Sequence, residues 1–188
     1  MRLSYSDASD AKFQSGEAAV IVQRVRERRA PRPLQPLDLT LLHSPNVADG
    51  WNHFLGAIRS KTSLPDDIRE IAICRVAVIN EAWYEWGHHA PLAKAGGVSE
   101  EGLRVLGDRE AKGGEGVLNE RQMATVRYTD EMTRDVRVSE GAFEGLRLVF
   151  SEQEVVEITA TVAAYNCVSR FLVALDVGER NSTKGPEP

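Results

Sequence analysis

Residues 65–97 read PDDIREIAICRVAVINEAWYEWGHHAPLAKAGG, and their punctuation decides the fold class. Pro65, Asp66 and Asp67 form a helix start, with the acids where the helix dipole favours negative charge. Ile68, Ile71, Ala72, Val76 and Ile79 then recur at helical spacing. A second helix is predicted from Trp83 to Ala95, stopped by Gly96 and Gly97. Should the two pack as an antiparallel hairpin, Glu70 on the first meets the second about midway, near His89.

Working outward, the same signs repeat on both sides. Upstream, Ser44 before Pro45 predicts a helix through Trp51, Phe54, Leu55 and Ile58. Before that, Gly16 to Arg29 is a short helix, followed by a segment expected to be extended and stiffened by Pro31, Pro33 and Pro36. Downstream, Ser99 caps a short piece to Leu106, and the glycines of GDREAKGGEG imply a mobile loop. Asn119 with Gln122 opens a helix to about Val136, and Ser139 caps the next. Ser151 with Glu154 is a capping box for a long helix through Val155, Ile158, Val162, Tyr165, Val168, Phe171 and Leu175, ending at Gly178. No strand alternation and no internal repeat is present. The fold class is all-α, a bundle of about six to eight helices.

Composition bounds the function. The chain has 188 residues, 42% hydrophobic and 27% charged, with a net charge of −5. These values fit a globular chain and offer no basic surface for nucleic acid or an anionic membrane. No apolar run is expected to reach a membrane span, and MRLSYSDASDAKFQ lacks the apolar segment of a secretory signal, so the expected location is cytoplasmic. The two cysteines, Cys74 and Cys167, are expected to be buried free thiols of a reducing compartment. The polar first fourteen residues and the closing NSTKGPEP are expected to fray or to dock on a partner. The run RVRERR is expected to be a solvated helix face or a contact with another subunit.

The chemistry concentrates between Glu81 and His89, where three aromatic residues, two acids and two histidines occur together. On a helix, Glu85 and His89 are four apart and lie on one face. A carboxylate beside an imidazole raises its pKa and orients it, which readies a general acid or base near neutral pH. The same spacing also fits a solvent-facing pair worth a few tenths of a kcal/mol. His88 points about 100° away from His89. Glu70 lies amid Ile68, Ile71, Ala72 and Ile73, where a carboxylate needs a partner if buried; the alternatives are His89 or, on a surface, Arg69. A metal site from Glu81, Glu85, His88 and His89 is a rival, weakened because adjacent histidines on a helix diverge.

The stretch LPDDIREIAICRVAVINEAWYEWGHHAPLAKAGGVSEEGL resembles the signature of the carboxymuconolactone decarboxylase and alkylhydroperoxidase D-like family. The resemblance extends over roughly residues 37–178, including AAYNCVSRFLVALDV in the last helix. It divides the chain into an N-terminal helix and proline-rich extension (1–36), the family's helical domain (37–178) and a flexible tail (179–188). In the family's peroxidase branch a Cys-x-x-Cys-x-x-x-His motif opens the second helix, with a relay glutamate on the helix before. Placing that histidine at His89 puts the cysteines at Ala82 and Glu85 and the relay acid at Glu70. Neither thiol is present, which disfavours peroxide reduction by an attacking and a resolving cysteine.

What remains is similar to the decarboxylase branch. That resemblance implies an all-helical homo-oligomer, a trimer or hexamer with sites near subunit contacts, using no metal and no organic cofactor. It implies a cofactor-free lyase acting on a small or cyclic β-keto or lactone carboxylic acid. Its catalytic residues would be Glu70, Glu85 and His89, with His88 in reserve. Trp83, Tyr84 and Trp86 would form a flat apolar wall for a ring substrate or, alternatively, plain core. Arg75 would receive the substrate carboxylate or make a structural salt bridge. Alternatives on the same scaffold are a cofactor-free isomerase, dehydratase or cyclase, and a non-catalytic oligomeric binding module.

Overall fold

The computed structural model describes residues 1–186. Among them are nine α-helices, a short 3-10 turn at Ala11–Phe13 and no strand, so the chain is all-α. The helices are α1 (Gly16–Arg29), α2 (Pro36–Leu41), α3 (Pro45–Ser60), α4 (Asp66–Ile79), α5 (Trp83–Ala95), α6 (Glu100–Gly107), α7 (Glu120–Asp135), α8 (Glu140–Val149) and α9 (Glu152–Leu175). They fall into two compact units, residues 1–61 with 175–179, and residues 62–174 with 180 onward.

In the first unit, residues 31–35 are non-helical as expected, but Pro36, read as the end of the extended segment, opens a further helix, α2. Pro36 occupies the first helical turn, where its missing N–H leaves no bond unmade, and Gln35 and Asp38 form a capping box across that turn. Asp38 is buried, and its carboxylate accepts bonds from Arg28 (2.7 Å), Arg29 (2.6 and 3.1 Å) and the Gln35 backbone N–H (2.8 Å). The last two arginines of RVRERR are thus internal partners of one carboxylate. The opening residues also dock on their own chain: the Arg2 N–H donates to the Leu175 carbonyl (2.8 Å) and the Tyr5 hydroxyl to Glu179 (3.0 Å).

In the second unit, α4 is buried at every residue from Glu70 to Ile79. A helix that is apolar all round belongs in the middle of its unit. α5 folds back on it through a short link in which Glu81 adopts a φ of 54° and Asn80 is anchored by Ser169 (2.8 Å) and Asn166 (3.1 Å) of α9. At the far end of the hairpin, Gly96 meets the first turn of α4. A Cβ there would lie 3.0 Å from the Asp67 nitrogen, so the approach depends on the residue being glycine. Side-chain caps at Ser99, Asn119 and Ser139 start α6, α7 and α8 as expected. At α9, Ser151 and Glu154 exchange reciprocal bonds, with the Ser151 N–H donating to the carboxylate (2.9 Å) and the Glu154 N–H to the serine hydroxyl (3.3 Å).

Three expectations are corrected here. α9 ends at Leu175 and not at Gly178. By length and composition alone it is apolar enough to cross a bilayer, with a mean hydropathy of 1.4 over 18 residues, although it buries Ile158, Val162, Tyr165 and Leu172 within the protein as core helices do. Cys167 is exposed, because it lies between Ala163 and Arg170 on the solvent stripe of α9; only Cys74 is buried. Of the expected tail, Asn181 is bonded to the Val173 carbonyl (2.7 Å) and Gly185 lies against the Trp83 ring, whereas residues 187–188 lie outside the described residues.

Candidate active site

Two buried carboxylates and a partly buried imidazole lie along the α4–α5 hairpin. Glu70 is 4% exposed and Glu85 2%, while the His89 side chain retains 12%. The His89 Nδ1 lies 2.7 Å from Glu70 Oε2. A carboxylate can only accept, so this nitrogen carries the proton and Nε2 is the acceptor of the neutral ring. The other Glu70 oxygen, Oε1, accepts from Arg69 Nε at 3.2 Å. Burial of the Arg69 guanidinium works against its charge, but its bonds to Asp66 and Glu70 more than offset this and lift its pKa above the ordinary value.

Hence the acid that orients His89 is Glu70, across the hairpin, and not Glu85 one turn earlier on the same helix. Helical spacing favours the i, i+4 neighbour; the fold brings a residue nineteen positions away into closer register. Glu85 still belongs to the cluster. Cys74, one turn past Glu70, has its thiol pKa pushed well above the ordinary value, first by complete burial and then by the negative charges of Glu70 and Glu85, with Arg75 opposing. Both carboxylates therefore bear on the Cys74 thiol, which is held protonated and unreactive.

A further residue completes the cluster. Tyr165 of α9 is fully buried, with its hydroxyl 3.4 Å from His89 Nε2 and the two rings edge to face at 5.1 Å and 85°. Sequence reasoning placed Tyr165 on the apolar face of a core helix, and nothing in its local pattern separates it from a packing tyrosine.

Residues 45–128 match the profile of the Carboxymuconolactone decarboxylase family, a match that contains the whole α4–α5 hairpin with Glu70, Glu85 and His89. Over that stretch the chain is similar to the carboxymuconolactone decarboxylase family. No curated protein matches it. Solved structures resemble this chain in fold. An alkylhydroperoxidase AhpD core from Ralstonia eutropha JMP134, an uncharacterised peroxidase-related protein, is 21% identical with a TM-score of 0.69, covering 85% of this chain and 84% of its own. The debrominase Bmp8 bound to 2,3,4-tribromopyrrole is 18% identical with a TM-score of 0.70, covering 94% and 88%. A protein of unknown function from Agrobacterium tumefaciens, provisionally assigned to antioxidant defence as an AhpD, is 22% identical with a TM-score of 0.64, covering 79% and 97%.

The remaining candidates lie elsewhere. Arg75 does not await a substrate. It is fully buried, makes a two-pronged ion pair with Asp130 (2.8 and 2.6 Å), and donates to the carbonyls of Leu106 (2.7 Å), Asp108 (2.6 Å) and Arg109 (2.9 Å). That set engages its donors and ties down the first half of the glycine-rich loop expected to be mobile. His88 is exposed, bonded to the Tyr84 carbonyl (2.7 Å) and set against the Tyr84 ring at 4.4 Å with the two planes tilted by 36°. Trp83 lies against Gly185, and Trp86 packs on the core around Ile71 and Leu106. Glu81 is paired with Arg109 at 2.6 Å. Among the described residues no three His, Cys, Asp or Glu side chains gather as a metal site. A cleft of about 460 Å³ between the 110–115 loop and α7, walled by Glu110, Met123, Arg127 and Asp130, shares no residue with the Glu70–His89 pair.

Proposed function

We propose that this chain is a cofactor-free lyase that decarboxylates a small β-keto or lactone carboxylic acid by proton transfer through His89. The observation that carries this reading is the buried 2.7 Å bond between Glu70 and His89 in a chain with Ala82 and Glu85 at the family's thiol positions. Loss of carbon dioxide from such an acid leaves an electron pair on carbon as an enolate, which must be stabilised and then protonated. Glu70 orients the imidazole and favours its protonated form. His89 then supplies the proton that the carbanion carbon takes up and is recharged from solvent. Glu85, buried beside the same region, is the second acid, able when protonated to polarise the substrate carbonyl. A thiol route has no support: Cys74 is sealed and held protonated, and Cys167 stands on the outer face of α9.

The test is a panel of β-keto and lactone acids offered without added cofactor in heavy water. Carbon dioxide release with deuterium in the product is the expected outcome. Deuterium exchange or rearrangement without carbon dioxide would transfer the site to isomerase, dehydratase or cyclase chemistry, and silence with all acids would contradict catalysis. In His89→Gln we expect a rate loss of about a hundredfold or more with unchanged helicity; more than a tenth of the parent rate would remove His89 from the chemistry.

A further inference from the structure

We infer that Tyr165 is a positioning residue for His89, closing a three-member relay, Glu70–His89–Tyr165, in which the phenol hydroxyl holds the imidazole nitrogen that Glu70 does not. This rests on the proton-transfer reading of the same pair and extends it to α9, which lies outside the family match at residues 45–128.

The geometry assigns the roles. With its Nδ1 proton given to Glu70, neutral His89 offers Nε2 as an acceptor, and the Tyr165 hydroxyl stands 3.4 Å away as donor. When the ring takes a second proton on Nε2, the direction reverses, and the phenol oxygen accepts from the imidazolium. A hydroxyl serves both states by rotating, with no movement of either ring. Its full burial and the edge-to-face contact at 85° fix the phenol at that spot. The bond to the charged ring is the stronger of the two, because charge-assisted hydrogen bonds are roughly twice as strong as neutral ones. Tyr165 therefore favours the proton-loaded state that the reaction uses. The ionisable groups facing the pair are Glu70, its partner Arg69 and Cys74 on α4, Glu85 on α5 and Tyr165 on α9; Glu100 of α6 is occupied on the surface by Lys94.

The experiment is an NMR titration of the His89 ring in the full chain, without substrate, in the parent, Tyr165→Phe, Glu70→Gln and Tyr128→Phe. Tyr165→Phe keeps the ring and its packing and removes one hydroxyl. It should lower the His89 midpoint by roughly half a pH unit or more. Tyr128, whose hydroxyl bonds Thr159 at 2.8 Å, is the control for loss of a buried phenol elsewhere and should leave the midpoint in place. A midpoint unchanged or raised in Tyr165→Phe, with thermal unfolding showing an intact fold, would overturn the inference. Glu70→Gln separates the two layers. If it lowers the midpoint while Tyr165→Phe does not, the relay fails and the Glu70–His89 pair stands; if neither moves it, the proton-transfer reading itself fails.

Discussion

Cys74 and Cys167 look alike in the sequence, each a lone sulfur in an apolar helix, yet only Cys74 is enclosed. Period alone does not say which stripe of a long helix faces solvent when both stripes are largely apolar. The consequence can be counted. A thiol reagent added to the native protein at mild alkaline pH should modify one cysteine per chain, lost in Cys167→Ser, and two after denaturation. Two native equivalents would show that the region between Glu70 and Glu85 is open. The same limit governs the acid partner of His89. Spacing along one helix makes Glu85 the natural choice; the other reading, a hairpin that carries Glu70 to His89, is the one the structure holds, at 2.7 Å. Tyr165 was beyond reach of sequence reasoning because its contact spans seventy-six positions.

Among the elements, α4 and α5 were legible from their punctuation, and Asp66, Ala95 and Gly96 stand where the sequence places them. α2 was not, since prolines that stiffen an extended chain also start helices, and which applies depends on whether the next residues can cap. Two predictions belong at this scale. Arg75 joins α4 to Asp130 of α7 and to the loop after α6. Arg75→Ala removes a fully buried guanidinium and leaves the partly buried Asp130 carboxylate and three backbone carbonyls without their donor, and should lower stability by about 3 kcal/mol in denaturant unfolding. Undiminished stability with weaker substrate binding would instead return Arg75 to the substrate. At the start of α9, the Glu154 carboxyl is held below its ordinary 4.5, chiefly by the Ser151 backbone N–H. A depressed folded value stabilises above 4.5 and ceases to do so as the pH falls through it. Loss of the serine hydroxyl in Ser151→Ala should cost about 1 kcal/mol at neutral pH, and Glu154→Gln should be less stable than the parent there, with the gap closing as the pH falls through the depressed value. A gap that persists in acid would contradict the charged cap.

Over the whole molecule, the all-α class and the order of the helices followed from caps and apolar spacing, because each start carries its own local signal. What sequence could not supply was convergence: which side chains from α4, α5 and α9 meet around His89. That convergence is where the functional claim lies, namely that an acid–imidazole pair moves protons in this chain with no thiol taking part. The most direct measurement compares two variants on whichever acid of the panel the parent turns over. One lacks both sulfurs, Cys74→Ala with Cys167→Ala, and the other is His89→Gln. The account predicts that the cysteine-free protein releases carbon dioxide and incorporates deuterium close to the parent rate while His89→Gln does neither. Activity lost with the cysteines and kept without the imidazole would contradict it.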